Sequence, residues 1–364
     1  MPLRLLLLST PVGPLGSGLG GGVELTVMNL AGALTARGHQ VAIAAPIGSR
    51  LPEDSAPIEI IQIPGTLQST AQTQERSTET TVSSVLANTW EYARKVQSRY
   101  DLLVNFAYDW LPFYLTPFLE IPIAHFVSMG SLSNGMDEAI AHQAVHFPGC
   151  LGAYTRSQAH TFTQTSDDQW QILGSAIDIN RYDYCDQPNE ELAWAGRISP
   201  EKGLEDAVAA ASGAGRSLKI FGKIEDRAYW QSIQQLIAKS STPVEYCGFL
   251  PTDALQKTIG RAQALLVTPK WIEAFGIVAI EALACGVPVI AYERGGLAEI
   301  VRSGETGWLV NPDDVVGLVK AIAKIDQIDR QYCRQQAVRL YSLSAWGERF
   351  ERWFYRIVSG TIIS

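Results

Sequence analysis

Short apolar runs recur along this chain, each followed by a stretch of helical spacing, and that alternation admits few folds. In the first half the runs lie near 3–9, 40–45, 58–63, 101–106, 121–127 and 150–154, with helices near 22–37 and 82–99. A second series begins at Glu191–Ile198 and continues through 217–222, 244–248, 264–269 and 288–292. Apolar runs alternating with helical stretches argue for α/β layers, so parallel sheets are expected. With 364 residues the chain exceeds the roughly 250–300 at which single cores stop growing. The predicted fold class is α/β: two Rossmann-like, doubly wound parallel-sheet domains facing a cleft. Their expected bounds are 1–180 and 181–343, with the polar stretch Asp178–Glu191 as linker. Residues 344–364 carry Trp346, Phe350, Trp353, Phe354 and Ile357 at roughly i, i+3, i+4 spacing. That stripe predicts a helix packing back on the first domain.

Composition excludes some classes of function. The net charge of −8 argues against a nucleic-acid surface, which needs clustered Lys and Arg. Leu3–Leu8 reads as a buried first strand rather than a secretory segment, and no run approaches the roughly 18 apolar residues of a membrane span. No stable membrane insertion is expected. Five scattered cysteines without a C-x-x-C pair predict reduced thiols and a cytoplasmic location, with neither zinc nor disulfides. The polar stretch Thr66–Thr81 predicts a mobile surface loop, either an insertion without a role or an acceptor-site flap.

The first loop holds Gly16, Gly18 and Gly21 in G-x-G-x-x-G spacing, the pattern of a dinucleotide-binding turn. Two features weaken that reading. Val12, Gly13, Pro14 and Leu15 separate the strand from the first glycine, and Ala45 and Pro46 stand where a ribose-binding acid belongs. The nearest acids, Glu53 and Asp54, lie well past it. Glycine amides suit any phosphate, so the loop calls for another ligand.

The second half supplies charged candidates. Arg197 and Lys202 flank a Pro-containing turn after a strand, a placement that suits a diphosphate, although a lone Arg or Lys is by default a solvated cation. Glu273 and Glu281 are spaced E-x7-E around Phe275-Gly276. The amides of Gly276, Ile277 and Val278 would open a helix N-terminus beside Glu273, a second anion site. Glu281, about a turn further in, could accept bonds from a ribose diol; as a merely structural charge in an apolar helix it would be costly.

Together, G-R-x-x-x-E-K-G (Gly196–Gly203), E-x7-E, and Gly295–Asp314 resemble glycosyltransferase family 4, retaining enzymes of the two-domain GT-B fold that use nucleotide sugars. The resemblance implies that Arg197 and Lys202 bind the pyrophosphate and Glu281 the ribose. It implies that Glu273 lies beside the donor sugar and that His125, in Ile121–Phe126, bonds a sugar hydroxyl. Gly21 and Gly22 would bring amides to the phosphate from the N-terminal side, with Gly20 and Glu24 of the same loop on the acceptor side. The resemblance implies no essential metal and no cofactor beyond the donor; no D-x-D occurs.

Three positions depart from the family pattern: Ser175–Asp178, Gly295–Glu299, which lacks the usual proline, and Asn105–Trp110, where many relatives have histidines. In the last, Tyr108 and Trp110 suit a flat aromatic acceptor. The first loop further resembles the opening of a cyanobacterial group that glucosylates reduced pterins. That resemblance implies UDP-glucose as donor and a side-chain hydroxyl of tetrahydrobiopterin as acceptor. Other readings are a transferase acting on a sugar or lipid acceptor, a sugar-nucleotide epimerase, and a non-catalytic nucleotide-sugar binder.

Overall fold

The computed structural model describes residues 1–17, 21–52, 57–69 and 83–360. Gly18, Gly20, Glu53, Asp54 and most of the polar 66–81 stretch lie outside them. The chain divides into two units, the first Met1–Ser175 with Leu343–Ser364, the second Ala176–Ser342.

The first unit is built on seven strands: β1 (Arg4–Leu8), β2 (Gln40–Pro46), β3 (Glu59–Ile63), β4 (Leu102–Asn105), β5 (Ile123–Val127), β6 (Leu151–Ala153) and β7 (Trp170–Ile172). All pair in parallel in the order β3-β2-β1-β4-β5-β6-β7. Its helices are α1 (Gly21–Ala36), α2 (Val85–Val96), α3 (Trp110–Leu115), α4 (Asn134–His146) and the single turn α5 (Arg156–Ala159). The central strands are apolar because both faces are covered: Leu5–Leu8 are fully buried, as sheets with helices on either side require. Strand order reverses direction between β1 and β4, so the connections leaving their carboxyl ends run to opposite sides, the topological switch point at which ligands bind in such folds.

The second unit repeats the plan with six parallel strands: β8 (Leu192–Ala195), β9 (Leu218–Phe221), β10 (Val244–Tyr246), β11 (Ala264–Val267), β12 (Val289–Tyr292) and β13 (Gly307–Val310). Their order, β10-β9-β8-β11-β12-β13, puts the switch point between β8 and β11. Around them run α6 (Leu204–Gly213), α7 (Arg227–Ile237), α8 (Thr252–Ile259), α9 (Ile277–Ala284), the short α10 (Leu297–Ile300), α11 (Val315–Ile322) and α12 (Arg330–Tyr341).

The polar 178–191 stretch, expected as the linker, is held to the second unit. Two arginines of α12 reach it: Arg334 donates to the carbonyls of Tyr182 (2.7 Å) and Ala284, and Arg330 to those of Cys185 (2.8 Å), Ala262 (3.0 Å) and Gly260 (2.6 Å). Carbonyls satisfy these guanidiniums without a carboxylate, and burial lowers the Arg330 pKa. The last helix, α13 (Leu343–Ser359), belongs to the first unit and packs on α1 and β5. Trp346, Phe350, Trp353 and Phe354 are its buried stripe, and the Trp353 indole donates to the Gly149 carbonyl (2.8 Å). Gly152 on β6 has no room for a Cβ, which would sit 2.7 Å from the Trp353 ring.

Candidate functional site

In the second unit, chemistry gathers at the carboxyl ends of β8 and β11. Leaving β8, the chain makes one turn of 3-10 helix at Pro200–Lys202, stopped by Gly203 in the left-handed region at φ 62°. A Cβ at Gly203 would stand 2.0 Å from the Thr268 carbonyl, so only glycine lets this turn close on the segment leaving β11. Two bonds zip the two together, Thr268 Oγ1 donating to Gly203 O (2.8 Å) and the Lys270 amide to Glu201 O (2.8 Å), and the Trp194 indole of β8 donates to Thr268 Oγ1 (3.3 Å).

That closure brings together two predicted residues far apart in sequence. Lys202 Nζ donates to Glu273 Oε2 at 2.5 Å, and both side chains are largely buried. The Trp271 indole donates to the same oxygen (3.2 Å), and the Lys202 ammonium lies 4.9 Å from the centre of the Trp271 ring, within cation–π range. Arg197 turns to other partners, Glu225 (2.8 Å) and Glu201 (3.1 Å). Each predicted cation is thus paired with a carboxylate, yet an ammonium has three donors and a guanidinium five, so capacity for a phosphate remains.

Glu273 is fixed from its backbone as well. The Gly296 amide donates to the Glu273 carbonyl (2.7 Å), and a Cβ at Gly295 would lie 2.3 Å from that oxygen. Any side chain at Gly295 or Gly296 would collide with the backbone of Glu273–Phe275. Beyond it, Gly276 enters α9 at φ 106°, its missing Cβ filled by Leu297. The amides of Ile277 and Val278 sit in the first turn, where helix N–H groups have no intrahelical acceptor. Glu281, on the second turn, accepts the Tyr182 hydroxyl at 2.7 Å, and burial raises the pKa of its carboxyl.

In the first unit the described part of the first loop is anchored at Leu15–Gly16 to the segment after β2. Gly16 has φ 81°, the Leu15 amide donates to Ser49 Oγ (2.9 Å), and the Arg50 amide to Leu15 O (3.0 Å). Gly21 and Gly22 open α1, while Glu24 is buried inside that helix at 3% exposure. Gly20 lies outside the described residues. After β4, Tyr108 donates its hydroxyl to Gly130 O (3.1 Å), and burial raises its pKa. Trp110, half exposed, heads α3 and meets Tyr114 edge-on at 5.5 Å.

His125 requires a correction. It lies within β5, fully buried and stacked on Phe113 at 4.5 Å. The Asn105 amide is oriented by Ala107, whose N–H donates to Oδ1 (3.1 Å) and whose carbonyl accepts from Nδ2 (3.1 Å). Nδ2 therefore donates its second hydrogen to His125 Nδ1 (3.2 Å), which leaves Nε2–H to donate to Thr116 Oγ1 (2.9 Å). Desolvation lowers the imidazole pKa to about 3. A neutral ring with both nitrogens occupied inside the sheet ties β4 and β5 together and has no atom to offer a sugar.

Sequence reasoning missed Trp271, Tyr182, Lys270, Arg294 and Asp313. Of these, only Trp271, an aromatic between a cation and the predicted Glu273, left a local signal. A cavity of about 690 Å³ also opens in the first unit, at the amino ends of β5–β7. It includes none of the predicted site residues. Among the described residues no group of three or more His, Cys, Asp or Glu is placed to hold a metal, and no helix is long and apolar enough to cross a membrane. All five cysteines are free.

Comparisons with known proteins converge on one class. Residues 186–339, nearly all of the second unit, match the family described as glycosyl transferases group 1. A glycogen synthase of Mycobacterium tuberculosis is 28% identical over 245 residues, covering 60% of this chain and 59% of that protein. The chain thus spans about three-fifths of that curated relative. Among solved structures, Anabaena HepE in complex with UDP superposes with a TM-score of 0.77 at 17% identity, covering 96% of this chain and 99% of that one. AviGT4, a glycosyltransferase involved in avilamycin A biosynthesis, gives 0.71 at 20% identity and 99% of both chains. Two parallel-sheet α/β domains of seven and six strands give this protein the GT-B fold.

Proposed function

We propose that this protein is a retaining glycosyltransferase that moves a hexose, glucose in the first instance, from a UDP-sugar to a hydroxyl of a small acceptor. The observation that carries the reading is the Lys202–Glu273 pair beside the open N-terminus of α9, in the unit that matches the group 1 glycosyltransferases. HepE has been solved with UDP-glucose, which supports that donor.

In this reading the diphosphate lies against the amides of Ile277 and Val278, where the helix dipole favours negative charge. Lys202 keeps Glu273 and gives a second hydrogen to the phosphate, and Arg197 contributes from the neighbouring turn. The Glu281 carboxylate accepts the ribose hydroxyls, sharing them with Tyr182. Glu273 orients the hexose. As the bond from the anomeric carbon to phosphate oxygen breaks, the acceptor oxygen attacks from the same face. The departing phosphate takes the acceptor's proton, and UDP leaves. Charge develops on the leaving phosphate, so Lys202, Arg197 and the helix amides supply most of the stabilisation. No bound metal takes part in this scheme.

For the acceptor we propose tetrahydrobiopterin, which the first loop's resemblance and the aromatic Tyr108 and Trp110 support. One observation favours a longer acceptor: Trp110, Tyr114 and Phe118 form a ladder with 5.5 and 5.6 Å between successive rings, all half exposed or more. A sugar or lipid acceptor would use that face.

The test is UDP release from UDP-glucose by Lys202→Ala and Arg197→Ala. Each is expected to lower kcat by about 100-fold or more, as loss of one transition-state donor does. Turnover near the unsubstituted level in both would refute the assignment.

A further inference from the structure

Around the carboxylate-bearing loop lies a second charged network that the scheme above does not use. Lys270 and Arg294 leave β11 and β12 side by side, and Asp313, from the turn after β13, holds both. Its Oδ1 accepts from Lys270 Nζ (3.0 Å) and its Oδ2 from an Arg294 guanidinium nitrogen (2.8 Å). Arg294 uses its other terminal nitrogen on the Pro269 carbonyl (2.8 Å). Lys270 also pairs with Asp206 of α6, whose carboxylate accepts the Tyr292 hydroxyl (2.6 Å). Among the described residues Asp313 is the one non-glycine with positive φ, 65°. An L-residue other than glycine is held there at some cost, and Asp is among the few that tolerate it.

The network clamps the segment that carries Glu273. Pro269 is caught by Arg294, Lys270 by Asp206 and Asp313 through its side chain and by Glu201 through its amide, and Glu273 by Gly296. We propose that Asp313 is a positioning residue: through Lys270 and Arg294 it sets the 268–276 loop, and with it the Glu273 carboxylate against Lys202. This rests on the transferase reading for its consequence in turnover, and on geometry alone for its effect on the loop.

Asp313→Gly keeps the backbone conformation and removes the carboxylate; Asp313→Asn keeps the shape and removes the charge. Both suit the left-handed backbone, so both are expected to fold. The reporter is amide hydrogen exchange over 268–276 in the full chain, including the Lys270 amide. Exchange is expected to accelerate on the order of tenfold in both variants, with strand β8 unchanged. In UDP release from UDP-glucose, kcat is expected to fall about tenfold while KM shifts less than about twofold, the signature of a misplaced group rather than a lost contact. Asp313 is half exposed, so added salt should slow the unsubstituted enzyme more than Asp313→Asn, which lacks the screened pair. Unchanged exchange in both variants, or a rise in KM with kcat intact, would overturn the proposal. An unsubstituted protein that releases no UDP would count against the transferase reading alone, and the exchange result would still decide whether Asp313 sets the loop.

Discussion

Glu281 carries two demands that pull in opposite directions. Burial beside Tyr182 raises its pKa, so between the ordinary carboxylate range and its raised value the folded chain keeps a proton that the unfolded chain has released. Its contribution to stability is therefore present at low pH and is lost as pH rises through that window. At neutral pH the partly buried carboxylate is a liability, which the proposed donor site would offset because a charged oxygen accepts two hydroxyls better than an amide does. Glu281→Gln is expected to raise the melting temperature at pH 7 by a few degrees, about 2–4 °C for each kcal/mol recovered. The same change is expected to weaken UDP binding about tenfold, measured by titration calorimetry. Unchanged UDP affinity would remove Glu281 from the donor site. His125 shows the opposite case: a residue whose motif suggested chemistry is held neutral between Asn105 and Thr116. From sequence its isolation was illegible, because nothing local tells that Asn105 and Thr116 fold onto its two nitrogens.

At the scale of elements, the site depends on two loops meeting without a side chain between them. Gly203→Ala adds a methyl at positive φ directly against the Thr268 carbonyl. The turn and the β11 exit must part, and Lys202 moves with the turn. A loss of about 2 kcal/mol or more is expected, read as a fall in melting temperature, with turnover falling alongside it. An alanine variant with normal turnover would show that the turn does not set Lys202. The central strands were legible because both faces are buried and the runs are continuously apolar. The edge strands β7 and β13 were not: Gln171, Trp308 and Leu309 are only partly buried, so the apolar run is broken. Helix α4 was missed for a similar reason, since in Asn134–His146 only Met136, Ile140, Gln143 and Ala144 are buried. Arg197, Lys202, Glu273 and Glu281 could be named from their motifs, but the pairing of Lys202 with Glu273 is a property of the β8 and β11 exits meeting. Asp313 lies within the Gly295–Asp314 motif, but its proposed role was not legible there, because it arises from a backbone conformation and two cations on other strands.

For the molecule as a whole, a net charge of −8 means that anionic ligands are not drawn in by the overall field and must be met locally. At the carboxyl edge of the second unit's sheet, Arg197, Lys202, Lys270 and Arg294 are each held by carboxylates. Such pairing fixes cations in place before a ligand arrives, which reduces the reorganisation needed when charge develops on a leaving group. The central claim is that this edge serves transfer from a nucleotide sugar. It is tested most directly by incubating the purified protein with UDP-glucose under reducing, anaerobic conditions, with and without tetrahydrobiopterin, while following UDP release and product mass. The expected result is UDP release that requires the pterin, with an adduct one hexose heavier. Release only with another acceptor would keep the transferase and discard the pterin; no release with any acceptor would contradict the account.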